Sequence, residues 1–198
     1  MKKDKPSILK NLHVLDPAKW YSTFVIVALF VSITPALFAQ RDVHAPLIAL
    51  AARKPAPAIQ LTSDTGQTKR LSDYRGKVVL LNFWASECGG CILELPSIID
   101  IHAANKNKSF TVVGISMDIA YEELKNEKQA WDKVKPFMAK SKINYPILMG
   151  YESLFKKFGL DALPDTLLLD KSGNIAAVYV GIISKDNAEA NINKLLLE

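Results

Sequence analysis

The strongest structural signal in this chain of 198 residues lies in the stretch Val78–Pro96, which reads VVLLNFWASECGGCILELP. Its first seven residues, Val78–Trp84, are almost all apolar and rich in β-branched and aromatic side chains. This pattern predicts a strand that is buried on both faces. Cys88 and Cys91 follow where we expect a helix to begin, and they are the two cysteines of the whole chain. We therefore look for the function first at this pair.

The net charge of +5 is concentrated at the N terminus. Residues 1–54 hold eight Lys and Arg against three Asp, which is a net charge of +5. This leaves 17 basic and 17 acidic residues for 55–198, a net charge of zero. Binding to nucleic acid requires a basic surface, so we expect no nucleic-acid partner for the folded part.

A membrane segment is predicted near the N terminus. Residues 1–19 form a polar, basic leader, and residues 20–40 are 21 positions without a charge. As a helix, they would span about 31 Å, close to the ~30 Å of bilayer hydrocarbon. The preceding lysines favour a cytoplasmic leader and a transmembrane anchor, with the rest of the chain outside. A cleaved signal peptide is the alternative, and it also exports the chain.

The remaining residues are predicted to form a linker and one domain. Residues 41–54 carry few charges and no periodic apolar face, which predicts a linker. Within the domain at 55–198, apolar patterns predict three further elements: a buried strand at Phe110–Ser116, a long helical region at Tyr121–Lys142 that Pro136 breaks or bends, and a closing helix at Asp186–Leu197.

Two further strands complete the expected fold. Thr166–Asp170 and Ile175–Val180 are separated by the turn sequence KSGN, which predicts an antiparallel hairpin. Strands and helices in this order predict an α/β sandwich with a mixed sheet. The right-handed crossover rule places the Phe110–Ser116 strand beside the Val78–Trp84 strand and parallel to it.

Cys88 and Cys91 have the spacing of a redox-active pair. A thiol at a helix N terminus lies near free N–H groups and the positive end of the helix dipole, which favours the thiolate, most strongly at the first cysteine. A thiolate attacks disulfides, and a second thiol one turn away resolves the mixed disulfide. Cys88 is therefore the expected attacker and Cys91 the expected resolver. A merely structural disulfide is an alternative, although its short loop would stabilise the fold little.

Metal and cofactor binding are not expected. A structural zinc site needs four ligands, whereas the chain has two cysteines and three scattered histidines. Covalent haem attachment needs a histidine directly after the second cysteine, and Ile92 stands there.

Three other residues have positions that bear on the cysteine pair. Glu94 lies three residues after Cys91, where its carboxyl could exchange a proton with the resolving thiol; an ordinary solvated charge is the alternative. Glu87, directly before Cys88, opposes the helix dipole and is expected to be exposed. Pro164 precedes a strand that could lie beside the cysteines, although X-Pro bonds are usually trans.

Three motifs resemble the TlpA/ResA-like branch of the thioredoxin superfamily. They are Asn82-Phe83-Trp84-Ala85-Ser86-x-Cys88-x-x-Cys91-x-x-Glu94-x-Pro96, the preceding LSDYRGKVV at 71–79, and Leu163-Pro164-x-Thr166. The resemblance implies a thioredoxin-like three-layer sandwich with a mixed central sheet. It also implies Cys88 as nucleophile, Cys91 as resolver and Pro164 as a cis-proline facing the disulfide. Supporting positions are implied at Glu94, Asn82 and Trp84.

The chain departs from the branch around the cysteines. Glu87 stands where the branch usually has an aromatic residue before the first cysteine. Gly90 replaces the common proline before the second cysteine, and Asp165 replaces the frequent threonine after the cis-proline. These positions border the predicted site, so they bear on redox potential and substrate choice more than on the type of chemistry.

The resulting hypothesis is a thiol-disulfide oxidoreductase tethered outside the cytoplasmic membrane, in the periplasm, and acting mainly as a reductase of protein disulfides. An upstream membrane thiol donor is expected because such compartments oxidise thiols. The resemblance includes proteins that reduce apocytochrome c before haem attachment. One alternative is a peroxiredoxin-like peroxidase, but Leu81 and Ala85 occupy the Pro and Thr positions of the expected Pro-x-x-x-Thr-x-x-Cys motif. The other alternative is a copper-binding or docking module without enzymatic activity.

Overall fold

A computed structural model describes residues 42–198, so the predicted leader at 1–19 and the predicted anchor at 20–40 lie outside the described residues. The strands of the described part are β1 (Lys54–Pro55), β2 (Gln60–Ser63), β3 (Thr68–Arg70), β4 (Val78–Trp84), β5 (Phe110–Ser116), β6 (Ile147–Met149), β7 (Asp165–Leu169) and β8 (Asn174–Val180). The α-helices are α1 (Gly89–Asn105), α2 (Asp118–Tyr121), α3 (Glu127–Ser141), α4 (Ser153–Phe158) and α5 (Lys185–Leu197). Within residues 42–198, no helix is long and apolar enough to cross a membrane.

One mixed sheet contains all of these strands, in the order β1-β8-β7-β4-β5-β6-β2-β3. The strand predicted at Val78–Trp84 is β4, and every one of its residues is buried. It pairs in parallel with β5 and antiparallel with β7, so that Leu80 lies opposite both Val112 and Leu168. The predicted parallel neighbour of β4 and the β7–β8 hairpin are both confirmed.

Helices cover both faces of the sheet, which gives the expected three layers. On one face, Leu80 of β4 packs in a core with Ile98 of α1 and Ile192 of α5. On the other face, Phe83 packs in a second core with Leu154 of α4. Successive β4 side chains alternate between these two cores, because side chains of a strand point to opposite faces. This alternation sends Asn82 and Trp84 towards α1.

The region predicted as one helical element over Tyr121–Lys142 contains one long helix, α3, which begins only at Glu127, while the short α2 ends at Tyr121. Between them, Glu123 has a positive φ of 53°, and the side chain of Asn126 accepts a hydrogen bond from the Gln129 N–H at 3.0 Å. Asn126 is thus an N-cap that starts a new helix. Pro136, at which a break or bend was expected, lies within α3, and the helix continues to Ser141.

Residues 42–55, hereafter the N-terminal arm, run along the outer edge of the domain, where the sequence predicts a linker over 41–54. The Ile48 N–H donates to the Ala176 carbonyl of β8 at 2.8 Å. The Arg53 guanidinium bonds the Glu198 carboxylate at 2.6 and 2.9 Å. The compact unit accordingly begins at Asp42. Contacts made largely through the main chain leave no periodic pattern in the sequence, which is why composition alone indicates a linker.

Candidate active site

The two cysteines are bonded to each other at the N terminus of α1. Cys88 is the N-cap residue, Cys91 lies in the first turn, and their Cα atoms are 5.2 Å apart. The Cys91 N–H donates to Cys88 Sγ at 3.3 Å. Each residue is 3% exposed, and the neighbouring Glu87 is exposed. Cys88 therefore occupies the position at which helix N–H groups stabilise a thiolate best.

Pro164 lies against the turn between the cysteines. The Leu163–Pro164 peptide bond is cis. Pro164 Cδ is 3.1 Å from the position that a Cβ atom would take at Gly90, so any larger residue there would press on the proline ring. The Pro164 carbonyl accepts a hydrogen bond from the Gly181 N–H at 2.9 Å. The tertiary structure thus brings β7 and β8 to the cysteines, and Gly90 permits the close approach.

The Glu94 carboxylate is buried and hydrogen-bonded on both oxygens. Its Oε1 accepts from Asn82 Nδ2 at 2.7 Å, and its Oε2 accepts from the Ile183 N–H at 3.1 Å. Asn82 also donates to Thr166 Oγ1 at 2.9 Å. Glu94 is only 2% exposed. This arrangement excludes the alternative of an ordinary solvated helix charge.

Burial controls the protonation of Glu94. Desolvation raises its pKa to about 7, although the Ile183 N–H and the Asn82 amide favour the carboxylate and lower it. The charge of Asp165 raises the pKa of Glu94 a little further. A carboxyl group with this pKa can both accept and donate a proton near neutral pH.

A second buried carboxyl, Asp165, directly follows Pro164. It lies opposite Phe83 in the pairing of β7 with β4 and is 2% exposed. Among residues 42–198, its Oδ1 has no hydrogen-bond partner. Desolvation raises the pKa of Asp165 to about 6, with a smaller contribution from Asp161, while the Thr166 N–H lowers it.

The loop that leads from β4 to Cys88 is held by a buried carboxylate. Asp118, fully buried, accepts from the Ser86 N–H at 3.0 Å and from the Ser86 hydroxyl, and its other oxygen accepts from Ser116 Oγ at 2.7 Å. Ser86 precedes Cys88 by two residues. The end of β5 and the start of α2 thus determine where the loop 85–87 lies.

A lysine from α3 neutralises the negative charge beside Cys88. Lys133 Nζ lies 3.1 Å from Glu87 Oε1 and also contacts the Glu122 carboxylate. Desolvation lowers the pKa of Lys133, but the two carboxylates outweigh it and raise the pKa overall. The Glu87 side chain is 65% exposed, as expected, yet it carries a paired charge.

Trp84, the last residue of β4, is buried in the same core as the two cysteines. Its indole ring packs on Phe137 of α3, with ring centroids 5.5 Å apart, and the residue is 3% exposed. Its carbonyl accepts from the Met117 N–H at 2.7 Å.

Across residues 42–198, no group of three His, Cys, Asp or Glu side chains converges to hold a metal ion.

The sequence-predicted residues Cys88, Cys91, Glu94, Asn82 and Pro164 come together, with Trp84 packed beneath them. No role was predicted for five contributors: Ser86, Asp118, Lys133, Thr166 and the Ile183 N–H. One signal was available, since Ser116 and Asp118 are polar residues directly at the carboxyl end of a buried strand. Lys133 and Ile183 carry no comparable mark, because their contacts arise from packing between distant elements.

A mixed sheet between two helical layers, with a disulfide at the N terminus of α1 and a proline facing it, defines a thioredoxin-fold protein of the thiol-disulfide oxidoreductase class. The chain belongs to the AhpC/TSA family, whose model matches residues 52–178.

Its relatives include enzymes of the same class. The thiol-disulfide oxidoreductase ResA of Geobacillus kaustophilus is 28% identical over 148 residues, which is 74% of this chain and 79% of that protein. The thioredoxin-like protein YneN of Bacillus subtilis is 30% identical over 138 residues, 70% of this chain and 76% of that one. A crystal structure of a thiol:disulfide interchange protein from Chlorobium tepidum covers 75% of this chain and 99% of its own, at 26% identity and a TM-score of 0.62. The chain is a thiol-disulfide oxidoreductase.

Proposed function

We propose that the protein reduces disulfides of protein substrates outside the cytoplasm, with Cys88 and Cys91 as its redox pair. One observation carries the proposal. A bonded cysteine pair caps α1 and is followed one turn later by a buried carboxyl group whose pKa is about 7. A structural disulfide has no need of a proton acceptor, whereas thiol exchange does.

The first step is attack on the substrate. In the reduced protein, the Cys88 thiolate attacks one sulfur of the substrate disulfide. A mixed disulfide forms, and the other substrate sulfur leaves as a thiolate. The helix N terminus and the exposed flanking position at Glu87 favour Cys88 over Cys91 for this role.

The second step releases the substrate. The Glu94 carboxylate takes the proton of the Cys91 thiol, and the Cys91 thiolate attacks Cys88 Sγ. The Cys88–Cys91 disulfide forms, and the second substrate sulfur leaves as a thiolate. The substrate gains two electrons and the cysteine pair loses two. Asn82 and the Ile183 N–H hold the carboxylate in place for the transfer.

The surroundings of the pair position the substrate. Pro164 lies beside the turn between the cysteines, and Trp84 packs on Phe137 of α3 in the core that includes both cysteines. Ile92 and Leu93, on the first turns of α1, are 44% and 61% exposed and offer an apolar surface next to the pair. A disulfide-containing polypeptide is the ligand that such a rim suits.

The proposed location rests on the sequence of residues 1–40. The basic leader at 1–19 and the uncharged segment at 20–40 favour a membrane anchor with the domain on the periplasmic side, or export after signal cleavage. In either case the pair needs an upstream thiol donor in the membrane, because the compartment oxidises thiols. The resemblance to the TlpA/ResA-like branch makes an apocytochrome c the first substrate to test.

Insulin reduction by the full-length protein tests the chemistry. Cys88→Ser abolishes turnover, and Cys91→Ser stops the reaction at a mixed disulfide that a non-reducing gel detects. Full activity of Cys88→Ser would sink the proposal. The direction is tested by the reduction potential, for which a value near about −270 mV fits a reductase and one near about −120 mV an oxidant.

Two measurements address the alternatives. The AhpC/TSA family match makes peroxide consumption the comparison to run, and Leu81 and Ala85 at the Pro and Thr positions of the peroxidase motif predict slow turnover. Stoichiometric Cu(I) retention by the reduced protein would support a copper carrier instead.

Membrane fractionation of cells that express the full chain, with protease added from the outside, tests the location.

A further inference from the structure

The backbone of Val43 holds the segment that follows β8 at two points. The Val43 N–H donates to the Ile182 carbonyl at 2.7 Å, and the Val43 carbonyl accepts from the Ser184 N–H at 3.0 Å. Val43 thereby forms a parallel bridge with Ile183. One residue of the N-terminal arm thus restrains both neighbours of Ile183.

The other side of the same segment contacts the redox site. The Ile183 N–H donates to Glu94 Oε2 at 3.1 Å. Ile182 Cγ1 lies 3.8 Å from the Cβ position of Gly90, between the cysteines, and the Gly181 N–H bonds the Pro164 carbonyl at 2.9 Å. The segment 181–184 therefore lies between the N-terminal arm and the groups around the disulfide.

The arm is held by specific contacts of its own. The Ala45 N–H donates to Asn187 Oδ1 at 3.0 Å, and the Ala45 carbonyl accepts from Asn191 Nδ2 at 2.9 Å. Val43 Cγ2 approaches the Cβ position of Gly181 to 3.3 Å, and Gly181 has a φ of +104°. Only glycine adopts this conformation readily and leaves room for the valine.

We propose that Val43, in the N-terminal arm, is a positioning residue for Glu94. The proposal rests on the function proposed above, in which Glu94 takes the proton of Cys91. Val43 touches no reacting atom. It holds Ile183 where the backbone N–H can donate to the carboxylate, and such a bond favours the ionised form of a carboxyl group.

The electrostatic surroundings of Glu94 allow this effect to be isolated. The titratable groups whose charges couple to Glu94 are Asp165 at the start of β7 and Tyr145 just before β6, and Cys91 lies three residues before Glu94 on the same helix. Asn82 is its second donor. The hydrogen bonds of Val43 go to Ile182 and Ser184 and not to any of these groups. A change at Val43 therefore reaches Glu94 through Ile183.

Val43→Pro and Ile48→Pro form a matched pair in the full-length protein. Each removes one N–H of the arm that donates to a carbonyl of the β8 region, but only the first lies beside Ile183. The readout is single-turnover oxidation of the reduced protein by oxidised glutathione between about pH 5 and about pH 9. The limb of the pH profile that reports Glu94 is identified as the one that Glu94→Gln abolishes. We expect the midpoint of this limb to shift to a higher pH by about half a unit in Val43→Pro and to stay at the same pH in Ile48→Pro.

A double variant distinguishes positioning from general loosening. Val43→Pro combined with Glu94→Gln should show the profile of Glu94→Gln alone. An unmoved limb in Val43→Pro, or equal shifts in both proline variants, overturns the proposal. Should Val43→Pro fail to fold, Asn187→Ala decides, because it removes the half-buried side chain that accepts a hydrogen bond from the Ala45 N–H. A smaller upward shift is expected, and no shift overturns the proposal.

Hydrogen exchange separates this proposal from the proposed function. Exchange of the Ile183 amide hydrogen needs no redox activity. Val43→Pro should accelerate it about tenfold or more, and Ile48→Pro should not. Unchanged exchange at Ile183 overturns the positioning role whatever the activity shows, whereas full activity of Cys88→Ser contradicts only the proposed function.

Discussion

Glu94 Oε1 lies 2.7 Å from Nδ2 of Asn82, and both side chains are buried. Asn82 belongs to β4, and it donates to a carboxylate that comes from α1. The ionisable group therefore belongs to the same helix as the cysteines. Its position depends on the strand, the helix and the segment 181–184 together.

Replacing Glu94 tests its role as proton acceptor. Glu94→Gln keeps nearly the same shape but cannot take the proton of Cys91, so we expect insulin reduction at pH 7 to fall about tenfold or more. The loss should shrink at high pH, where Cys91 ionises without help. Asp100→Asn is the matched control, because Asp100 is an exposed carboxyl on the same helix. Equal effects of the two substitutions would contradict a specific role for Glu94.

Asp165 should make the protein less stable as pH rises. Its pKa of about 6 lies above the unfolded value of about 3.9, so the folded state binds the proton more tightly and the free energy of unfolding falls across this interval. Asp165→Asn removes this loss and should stabilise the protein by about 1 to 3 kcal/mol at pH 7.5. Urea unfolding at several pH values measures the difference.

Comparison with the wild type isolates this contribution. Glu94, whose pKa is about 7, adds a slope of the same sign up to about pH 7, and this slope remains in Asp165→Asn. Asp161→Asn is the control, because Asp161 is an exposed carboxyl in the loop that precedes β7, and it should change stability by less than about 0.5 kcal/mol. A wild type and Asp165→Asn of equal stability at every pH would refute a destabilising carboxylate.

Lys133 should favour the Cys88 thiolate by neutralising Glu87. In reduced Lys133→Met, the uncompensated Glu87 charge disfavours the Cys88 thiolate, and alkylation by iodoacetamide at pH 6 slows about threefold. Glu87→Gln together with Lys133→Met should restore the rate. Lys128→Met, which removes an exposed ion pair with Asp132 on the same helix, should leave the rate unchanged. Failure of the double variant to restore the rate would indicate a structural effect.

Asp118 should contribute to stability through the loop that precedes Cys88. Asp118→Ala leaves the Ser86 N–H, the Ser86 hydroxyl and the Ser116 hydroxyl without their buried acceptor, and we expect a loss of about 3 kcal/mol in the free energy of unfolding. Urea unfolding checks this value. The exposed Asp132→Ala serves as the control. A loss below about 0.5 kcal/mol would show that water replaces the carboxylate without cost.

The local elements of this chain were predictable because short-range patterns encode them. A continuous apolar run predicts a buried strand, and β4 is buried along its whole length. The cysteine spacing, the turn before β8 and the crossover rule led to the redox pair, the hairpin and the parallel pairing. The prediction over Tyr121–Lys142 failed at the element boundaries, because the Asn126 N-cap starts α3 and the helix continues past Pro136 to Ser141.

Residues far apart in the chain complete the site, and no local pattern records their contacts. The Ile183 N–H reaches Glu94, Lys133 reaches Glu87, and Val43 restrains Ile182. Each of these bonds involves a main-chain group or a charged surface side chain. The sequence contains many such groups, and nothing in it marks the ones that form these contacts. Sequence periodicity thus sufficed for the strands and the cysteine chemistry. The protonation of Glu94 was decided by folding, because desolvation and donor geometry exist only once distant segments pack together.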